Sequence, residues 1–172
     1  LVKTIKEKRR DFNKINGLYF KRNGKIIATP PRELIADLDE IPFPARDLFD
    51  LSLYYSAPTK KVSSDPAGPI LTSRGCAFNC IHCISRKIWR GGVRFRSIQN
   101  VIKEMGECIN KFGIKQFNIY DDTFTLNQER AMKICDEIIK RGWKIAWVSF
   151  SRVNTISEEL AKKMRKAGCK KI

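Results

Sequence analysis

The chain has 172 residues, of which 42% are hydrophobic, so it is long and apolar enough for one domain with an extension. Its 34 lysines and arginines against 18 aspartates and glutamates give a formal net charge of +16. No apolar run approaches the ~20 residues of a membrane span, and six cysteines without an export signal are typical of a reducing compartment, which predicts a soluble cytoplasmic protein.

The beginning of the chain is predicted to hold a helix, a hairpin and a linker. Residues 1–14 are polar and basic, which predicts a solvated helix. Two short apolar runs flank Asn23 and Gly24, and Asn-Gly between such runs is the strongest short hairpin signal. All seven prolines lie between Pro30 and Pro69, which excludes a continuous helix or a central strand there. We expect this proline-rich stretch to wrap onto the domain that follows.

From residue 69 onward, short apolar strands alternate with amphipathic helices. The predicted strands are Pro69–Ser73, Phe117–Tyr120 and Lys144–Phe150, with the start of a fourth at the final residues CKKI. The helix signals are a Ser97 cap with a Gly113 stop, an Asn127 cap with a Gly142 stop, and a capping box of Thr155 and Glu158. This alternation predicts an α/β fold with parallel strands joined by right-handed crossovers.

Polar clusters follow each of the three predicted strands. A cysteine-rich stretch follows the first, Asp121-Asp122-Thr123-Phe124 follows the second, and Ser149, Ser151, Arg152 and Asn154 lie at or after the end of the third. Functional groups of parallel α/β folds gather at the carboxyl ends of the strands, where loops can vary. The sequence therefore predicts one shared site.

Three cysteines stand within eight residues, in the stretch TSRGCAFNCIHC. Thiolates of Cys76, Cys80 and Cys83 could hold three irons of a cubane cluster and leave the fourth iron without a protein ligand. A zinc site that adds His82 is an alternative, although structural zinc ligands usually come as two separated pairs. A disulfide framework is another. The remaining cysteines, Cys108, Cys135 and Cys169, are expected to be buried and structural.

The C-x3-C-x2-C spacing just after an apolar strand resembles the signature of the radical S-adenosylmethionine enzymes. The resemblance implies that Cys76, Cys80 and Cys83 ligate a 4Fe-4S cluster whose open iron chelates S-adenosylmethionine. In this family an electron from the cluster cleaves that cofactor to methionine and a 5′-deoxyadenosyl radical. A reductase or ferredoxin-type electron donor is therefore an expected partner.

Four further residues are candidates for binding the cofactor. His82 occupies the position at which the family usually has an aromatic residue near the adenine. The alternative is that His82 only packs within the loop. In many members a glycine-glycine-glutamate stretch at the position of Asp121 and Asp122 binds the cofactor's amino group; this sequence lacks it, but its DDTF resembles the variant of the cobalamin-associated branch, which makes Asp122 the candidate. An Asx-type turn leading into the second helix would also explain the Asp121 and Asp122 pair. The Arg152 fork is suited to a bidentate contact with the cofactor carboxylate, and surface placement is the alternative. Ser149 is the weakest candidate.

The resemblance extends to the branch in which a cobalamin-binding domain precedes the radical domain. It is carried by PPRELIADLDEIPFPARDLFD, RFRS, NIYDDTFTLN and SRVNTISEELAKKMRKAGC. It implies that residues 1–68 are the linker after an absent cobalamin-binding domain. Residues 69–172 would be the amino-terminal half of a (β/α)6 core, with about three of six units, so both ends look cut. Methyl transfer to an unactivated carbon of a small-molecule substrate, or a cyclisation or rearrangement of similar type, is the expected reaction.

Two other functions remain open at this stage. Relatives of the family modify transfer RNA, and the charge of +16 would favour an RNA partner through counterion release. The lysines are spread along the chain without interleaved aromatic residues, however, which favours a solvated surface. A non-catalytic zinc or iron-sulfur module is the second alternative.

Overall fold

The structure is a computed structural model that describes residues 1–9, 11–63, 66–89 and 92–172. Its contacts divide the chain into two compact units, residues 1–35 and residues 36–172. Within the described ranges, no helix is both long enough and apolar enough to cross a bilayer.

The first unit contains one short helix and a hairpin. Helix α1 spans Val2–Lys6, which is shorter than the helix expected over residues 1–14. A single 3₁₀ turn at Phe12–Lys14 follows, and Arg10 lies outside the described residues. The predicted length was wrong: Lys8 has a φ of 53°, a left-handed conformation that does not continue an α-helix.

The predicted hairpin is confirmed. Strand β1 (Tyr19–Arg22) pairs antiparallel with strand β2 (Lys25–Ala28). The connecting residues Asn23 and Gly24 have φ values of 49° and 77°. Positive φ at both central positions is the type I′ geometry that Asn-Gly favours and that matches the twist of the two strands.

The second unit is built on a parallel sheet with the strand order β3-β6-β7-β8. A two-stranded antiparallel pair, β4 with β5, adjoins the end of β3 in the chain. The strands are β3 (Ala67–Ile70), β4 (Ser73–Arg74), β5 (Arg94–Phe95), β6 (Gln116–Ile119), β7 (Ala146–Val148) and β8 (Cys169–Lys171). The parallel pairing confirms the predicted α/β fold.

Three helices connect the parallel strands, after a single-turn helix α2 (Ser85–Ile88). They are α3 (Ile98–Phe112), α4 (Gln128–Lys140) and α5 (Glu158–Lys166). The hydroxyl of Ser97 accepts from the N–H of Asn100, and the side chain of Asn127 accepts from the N–H of Arg130, so both predicted caps are confirmed. Gly113, at φ 64°, ends α3 as expected.

The predicted capping box of the third helix was wrong. Ser157 is the N-cap of α5, and its side chain accepts from the N–H of Leu160. Thr155 instead lies buried in a 3₁₀ turn, where its hydroxyl hydrogen-bonds to the hydroxyl of Thr125 at 2.7 Å. Thr155 and Ser157 are both residue types that favour an N-cap. What distinguishes them is the hydrogen bond of Thr155 to Thr125, which the local sequence does not reveal.

The helices cover one face of the sheet and form the core with it. Phe117, Ile119 and Trp147 of the strands pack with Ile134 of α4 and Leu160 of α5, and all five are at most 2% exposed. Burial of each such side chain stabilises the fold by about 1.5–3 kcal/mol. The core therefore fixes the depth and spacing of the strands whose ends carry the polar clusters.

Residues 56–63 of the proline-rich stretch lie on the other face of the sheet. The side-chain amide of Gln116, which is fully buried, donates to the hydroxyl of Ser56 at 2.6 Å. Its carbonyl oxygen accepts from the N–H groups of Val62 and Ser63. Asn118 also donates to Ser56, at 2.8 Å. These hydrogen bonds attach residues 56–63 to the sheet, as the composition of the stretch predicts.

The first strand begins and ends earlier than predicted. Strand β3 ends at Ile70, and β4 begins only at Ser73. Pro69 stands inside β3, opposite Asn118 of β6. Proline lacks an N–H, but among the described residues β3 pairs with one strand, β6, so its outer side needs no ladder hydrogen bond.

Candidate metal and cofactor site

The three cysteines lie on one loop, residues 75–83, here called the cysteine loop. The loop leaves β4, and the chain returns through β5, where Ser73 pairs with Phe95. Gly75 has a φ of +109°, and a Cβ at this position would lie 2.2 Å from the carbonyl oxygen of Gly92. Only glycine suits both the backbone angle and the close approach. The base of the loop is therefore tightly closed.

The thiols of the cysteine loop are accessible. Cys76 and Cys80 are half-buried and Cys83 is exposed, and the N–H of Cys83 donates to the carbonyl of Cys80. All six cysteines are free. Among the described residues, no group of three His, Cys, Asp or Glu side chains is arranged to hold a metal ion. Binding a cluster would therefore require the three sulfurs to converge.

The other cysteines behave as buried apolar residues, which confirms the prediction. Cys108, Cys135 and Cys169 are 1%, 0% and 7% exposed. Burial raises the pKa of Cys135 to about 12 and the pKa of Cys108 and Cys169 to about 11. A neutral thiol of this kind is neither a nucleophile nor a metal ligand.

Cys83 has the opposite electrostatic environment. The hydroxyl and then the backbone N–H of Ser85 lower the pKa of the Cys83 thiol. The N–H lies 3.5 Å from the sulfur. The Ser85 hydroxyl has only one proton to donate. When that proton is donated to another acceptor, the Ser85 N–H is the contact that remains with the Cys83 sulfur. This sulfur is thus more easily ionised than an isolated thiol.

Asp122 contacts the same serine. The Ser85 hydroxyl donates to Oδ1 of Asp122 at 3.0 Å, so the end of β6 is joined to the residue two positions beyond Cys83. Asp122 is half-buried. The carboxylate expected to contact the cofactor is therefore next to the cysteine loop.

Asp121 is placed quite differently from its neighbour. It is 1% exposed, and its Oδ1 accepts from the N–H groups of Thr72 at 2.6 Å and Ser73 at 3.1 Å. Its Oδ2 accepts from the hydroxyl of Thr72 at 2.5 Å. Burial raises the pKa of Asp121, and these hydrogen bonds oppose the shift. Asp121 has no accessible surface for a ligand and instead holds the strand that leads to the cysteine loop.

Arg130 of α4 supports this buried cluster. It donates to the hydroxyl of Thr72 at 3.0 Å, to the carbonyl of Thr72 at 2.9 Å and to the carbonyl of Arg96. The guanidinium also lies over the ring of Phe95, 5.1 Å from its centroid. Its charge acts on Asp121, so the buried carboxylate has a compensating cation.

Arg152 reaches the cysteine loop from the end of β7. Its NH1 lies 2.9 Å from the sulfur of Cys80, and its guanidinium stacks 4.1 Å from the ring centroid of Phe78. Nε also contacts the side chain of Asn154. Arg152 is thus half-buried and stands beside a candidate metal ligand.

The last two candidates are not joined to this cluster. His82 is exposed on the cysteine loop. The hydroxyl of Ser149 is buried and has no hydrogen-bond partner among the described residues. A buried hydroxyl without a partner is uncommon, and a ligand is one way to satisfy it. Within those residues, no hydrogen bond links either side chain to the three cysteines.

Two aromatic rings stand between the strand ends. Tyr120 follows β6 and Phe150 follows β7, with ring centroids 6.3 Å apart. The ammonium of Lys60 lies 4.1 Å from the Tyr120 centroid and 5.0 Å from the Phe150 centroid. Both rings are partly exposed. The carboxyl end of the sheet thus offers an apolar surface with a cation on it, next to the polar clusters.

Sequence reasoning missed Ser85, Phe78, Thr72 and Arg130. Ser85 and Phe78 lie within or just beyond the cysteine motif, so proximity in the chain was the available signal. Arg130 lies in the first turn of α4, and nothing in its local sequence distinguishes it from the other 33 basic residues. Its role depends on a contact 58 residues away.

The residues of the loop suit an iron-sulfur cluster in their chemistry. Three cysteine sulfurs from one accessible loop are the donor type that such clusters take, and the Cys83 thiol is biased toward the thiolate. The neighbouring Arg152 guanidinium adds positive charge beside Cys80.

The fold and the loop together define a class: parallel α/β proteins that carry a cysteine motif on a loop beyond the carboxyl end of the first parallel strand. The chain belongs to the Radical SAM superfamily, whose family model matches residues 70–172. Membership in this family implies a 4Fe-4S cluster and S-adenosylmethionine as cofactors.

Curated relatives and a solved structure agree with this assignment. The chain is 43% identical over 166 residues to an uncharacterized methyltransferase of Pyrococcus horikoshii, covering 94% of this chain and 34% of that protein. It is 32% identical over 161 residues to the anaerobic magnesium-protoporphyrin IX monomethyl ester cyclase of Rubrivivax gelatinosus, covering 92% and 28%.

The fold is similar to that of the radical S-adenosylmethionine methyltransferase TsrM from Kitasatospora setae, solved with cobalamin and a 4Fe-4S cluster bound. The TM-score is 0.69 at 24% identity, covering 98% of this chain and 34% of that one. The chain spans about a third of the length of these relatives.

Proposed function

We propose that this chain is the cluster-binding part of a radical S-adenosylmethionine enzyme, in which Cys76, Cys80 and Cys83 each hold one iron of a 4Fe-4S cluster. The observation that carries the proposal is a convergence: Asp122 from the end of β6 and Arg152 from the end of β7 both hydrogen-bond to the cysteine loop or its immediate continuation. When bound, the cluster supplies the electron that cleaves S-adenosylmethionine.

Asp122 and Arg152 are proposed to orient the two charged ends of the amino-acid part of the cofactor. Asp122 uses one carboxylate oxygen for Ser85, and a carboxylate can accept further hydrogen bonds, so it can also accept from the cofactor's ammonium. Arg152 has five N–H donors and can bind the cofactor's carboxylate while it remains stacked on Phe78. Opposite charges of protein and cofactor are thereby matched.

His82 and Ser149 complete the proposed cofactor site. His82 would pack against the adenine from its exposed position on the cysteine loop. The buried hydroxyl of Ser149, which is unpartnered within the described residues, would gain a hydrogen-bond partner on ligand binding.

The proposed reaction is methyl transfer to an unactivated carbon of a small molecule, or a cyclisation of similar type. It is supported by the relatives, which are named a methyltransferase and a cyclase. In this proposal residues 1–68 link the core to a cobalamin-binding domain, and residues 69–172 are the first half of that core. An electron donor of the ferredoxin or reductase type, in a reducing cytoplasm, would serve the cluster.

Anaerobic reconstitution with iron and sulfide tests the proposal. The wild-type chain should acquire one cluster with its brown colour, and the cluster's electron paramagnetic resonance signal should change when S-adenosylmethionine is added. A variant with Cys76, Cys80 and Cys83 all changed to alanine should acquire none, whereas Cys108→Ala, a control in the core, should still load. Equal loading of the triple variant, or a colourless zinc-bound wild type, would contradict the proposal.

Transfer RNA modification is the second candidate, and the net charge of +16 favours it. Binding driven by that charge should weaken steeply as salt rises, because counterions are released. Retention of the chain on transfer RNA should therefore be measured between low and physiological salt. Tight retention that survives physiological salt would favour RNA over a small-molecule substrate.

A further inference from the structure

We propose that Asp121 and Asp122 are positioning residues that clamp the two ends of the cysteine loop to the carboxyl end of β6. The inference rests on the proposed function, because it explains how the three sulfurs are held for a cluster. It assigns the adjacent carboxylates to two sides of the loop, rather than to a catalytic acid-base pair or to an Asx-type turn.

The Asp121 side of the clamp holds the chain before the loop. Three hydrogen bonds to Thr72 and Ser73 leave this carboxylate 1% exposed, directly ahead of the strand pair that opens into the loop. Arg130 donates to the hydroxyl and to the carbonyl of the same Thr72. Breaking a hydrogen bond here would leave a buried polar group unpaired, which costs about 1–3 kcal/mol. The entry to the loop is thus rigidly attached to β6.

The Asp122 side holds the chain after the loop. Its contact is the 3.0 Å hydrogen bond from the hydroxyl of Ser85, whose N–H lies 3.5 Å from the sulfur of Cys83. Asp122 therefore acts on Cys83 through one intermediate residue. Since Ser85 begins α2, the same contact also fixes the start of that helix.

Adjacent positions are what such a clamp requires. Both residues lie just beyond the end of β6, and their carboxylates contact two different segments, Thr72 before the loop and Ser85 after it. Asp121 turns into the buried cluster and Asp122 turns toward the half-exposed loop. All three cysteines lie between the two anchor points, Thr72 and Ser85. Fixing both ends lowers the entropy that the loop must lose when its sulfurs converge.

Amide hydrogen exchange on the cluster-free full chain tests the Asp121 side of the clamp. Asp121→Asn preserves the shape but leaves the Thr72 hydroxyl proton without its acceptor, so the amides of Thr72 and Ser73 should exchange about tenfold faster. The matched control is Asp136→Asn on the exposed surface of α4, where exchange at these amides should not change. Amides in α4 report whether the fold is intact. If Asp121→Asn does not fold, Thr72→Val removes the hydroxyl with its contacts to Asp121 and Arg130, keeps the backbone contacts, and should accelerate the same amides.

The rate at which the cluster-loaded full chain releases iron to a chelator tests the Asp122 side of the clamp. Asp122→Ala and Ser85→Ala should each lose iron about fivefold faster than wild type, because one hydrogen bond near Cys83 is lost. Ser85→Thr retains a hydroxyl and should restore slow release. Asp136→Ala is the control and should match wild type. Rescue by threonine separates positioning from a general loss of packing.

The outcomes distinguish the clamp from the proposed function. Unchanged exchange at Thr72 and Ser73 in the Asp121 variant would overturn the clamp. The clamp would also be overturned if the Asp122 and Ser85 variants released iron no faster than Asp136→Ala. If the wild-type chain binds no cluster at all, the proposed function fails, and the exchange data on the cluster-free chain still decide whether Asp121 holds the loop.

Discussion

Gly75 and Gly92 meet backbone to backbone at the base of the cysteine loop. A Cβ on Gly75 would lie 2.2 Å from the carbonyl oxygen of Gly92, and Gly75 also has a φ of +109°. Two independent constraints, one of space and one of backbone angle, therefore act on the residue that precedes Cys76. The loop cannot close in this way with any other amino acid at position 75.

We expect Gly75→Ala to destabilise the base of the loop and to prevent cluster assembly. A positive φ alone costs a non-glycine residue about 1–3 kcal/mol, and the clash with the Gly92 carbonyl adds to this. Urea unfolding and iron content after reconstitution are the measurements.

Gly106→Ala is the matched control for this substitution. Gly106 lies inside α3, and a Cβ there would make an ordinary 3.4 Å contact with Trp143. Alanine in a helix should be neutral or stabilise by about 0.5–1 kcal/mol. Normal cluster loading by Gly75→Ala would show that the close approach at the loop base is dispensable.

Glu104 of α3 should be among the most sensitive positions in the fold. It is 2% exposed and pairs with Arg46 at 2.6 Å and with Arg96 at 2.5 Å. Glu104→Gln would leave buried arginine charge uncompensated, and we expect a loss of about 3–5 kcal/mol in the free energy of unfolding. Urea titration measures it.

The control for Glu104 is one turn away on the same helix. Glu107→Gln removes an exposed pair with Lys111, and its urea midpoint should match that of wild type. If the two glutamine variants unfold at the same urea concentration, the buried network does not carry the stability assigned to it.

The buried cysteines predict a loss of stability at alkaline pH. Their pKa values, about 12 for Cys135 and about 11 for Cys108 and Cys169, lie above the ordinary value of 9.0. Between 9.0 and about 11 the unfolded chain therefore releases thiol protons that the folded chain retains. The unfolded state then binds fewer protons, so the free energy of unfolding falls as pH rises through this window and is fully present below it.

Urea titrations at pH values below and above 9.0 give the slope of stability with pH. Cys135→Ala removes one of the three groups, so its stability should fall less steeply with pH than that of wild type, whatever its stability at neutral pH. An unchanged slope in this variant would contradict the assignment of the effect to the buried thiols.

Gln116 should hold the proline-rich stretch on the sheet. It is fully buried and binds Ser56, Val62 and Ser63. Gln116→Leu keeps the bulk but leaves these partners unsatisfied, and we expect a loss of about 2–3 kcal/mol with faster amide exchange at residues 56–63. The exposed Gln99→Leu serves as the control. Exchange that rises evenly over the whole chain would instead indicate general unfolding.

Local signals in the sequence identified most of the framework. Asn23-Gly24 predicted the hairpin, and Ser97 and Asn127 predicted the starts of two helices, because turns and caps are decided by a few neighbouring residues. The alternation of short apolar strands with amphipathic helices predicted the α/β class. Thr155 was mistaken for a cap because its actual partner, Thr125, is 30 residues away.

The arrangement of the site depended on contacts that no local pattern reveals. The sequence placed the cysteines, the aspartate pair and Arg152 at neighbouring strand ends, and Asp122 and Arg152 do reach the cysteine loop. It could not show which of two identical adjacent carboxylates is buried. Burial of Asp121 depends on Thr72 and Arg130, which are distant in sequence, so only the folded chain separates the two roles.

The hydrogen bond between Thr72 and Asp121 joins residues 49 positions apart, and this has a consequence for biosynthesis. A ribosome makes the cysteines well before it makes the carboxylate that braces them. Nascent chains that end before residue 121 therefore expose three unbraced thiols, open to oxidation or to stray metals. In the proposed function, metallation of the three cysteines has to wait until the second parallel strand has left the exit tunnel and docked.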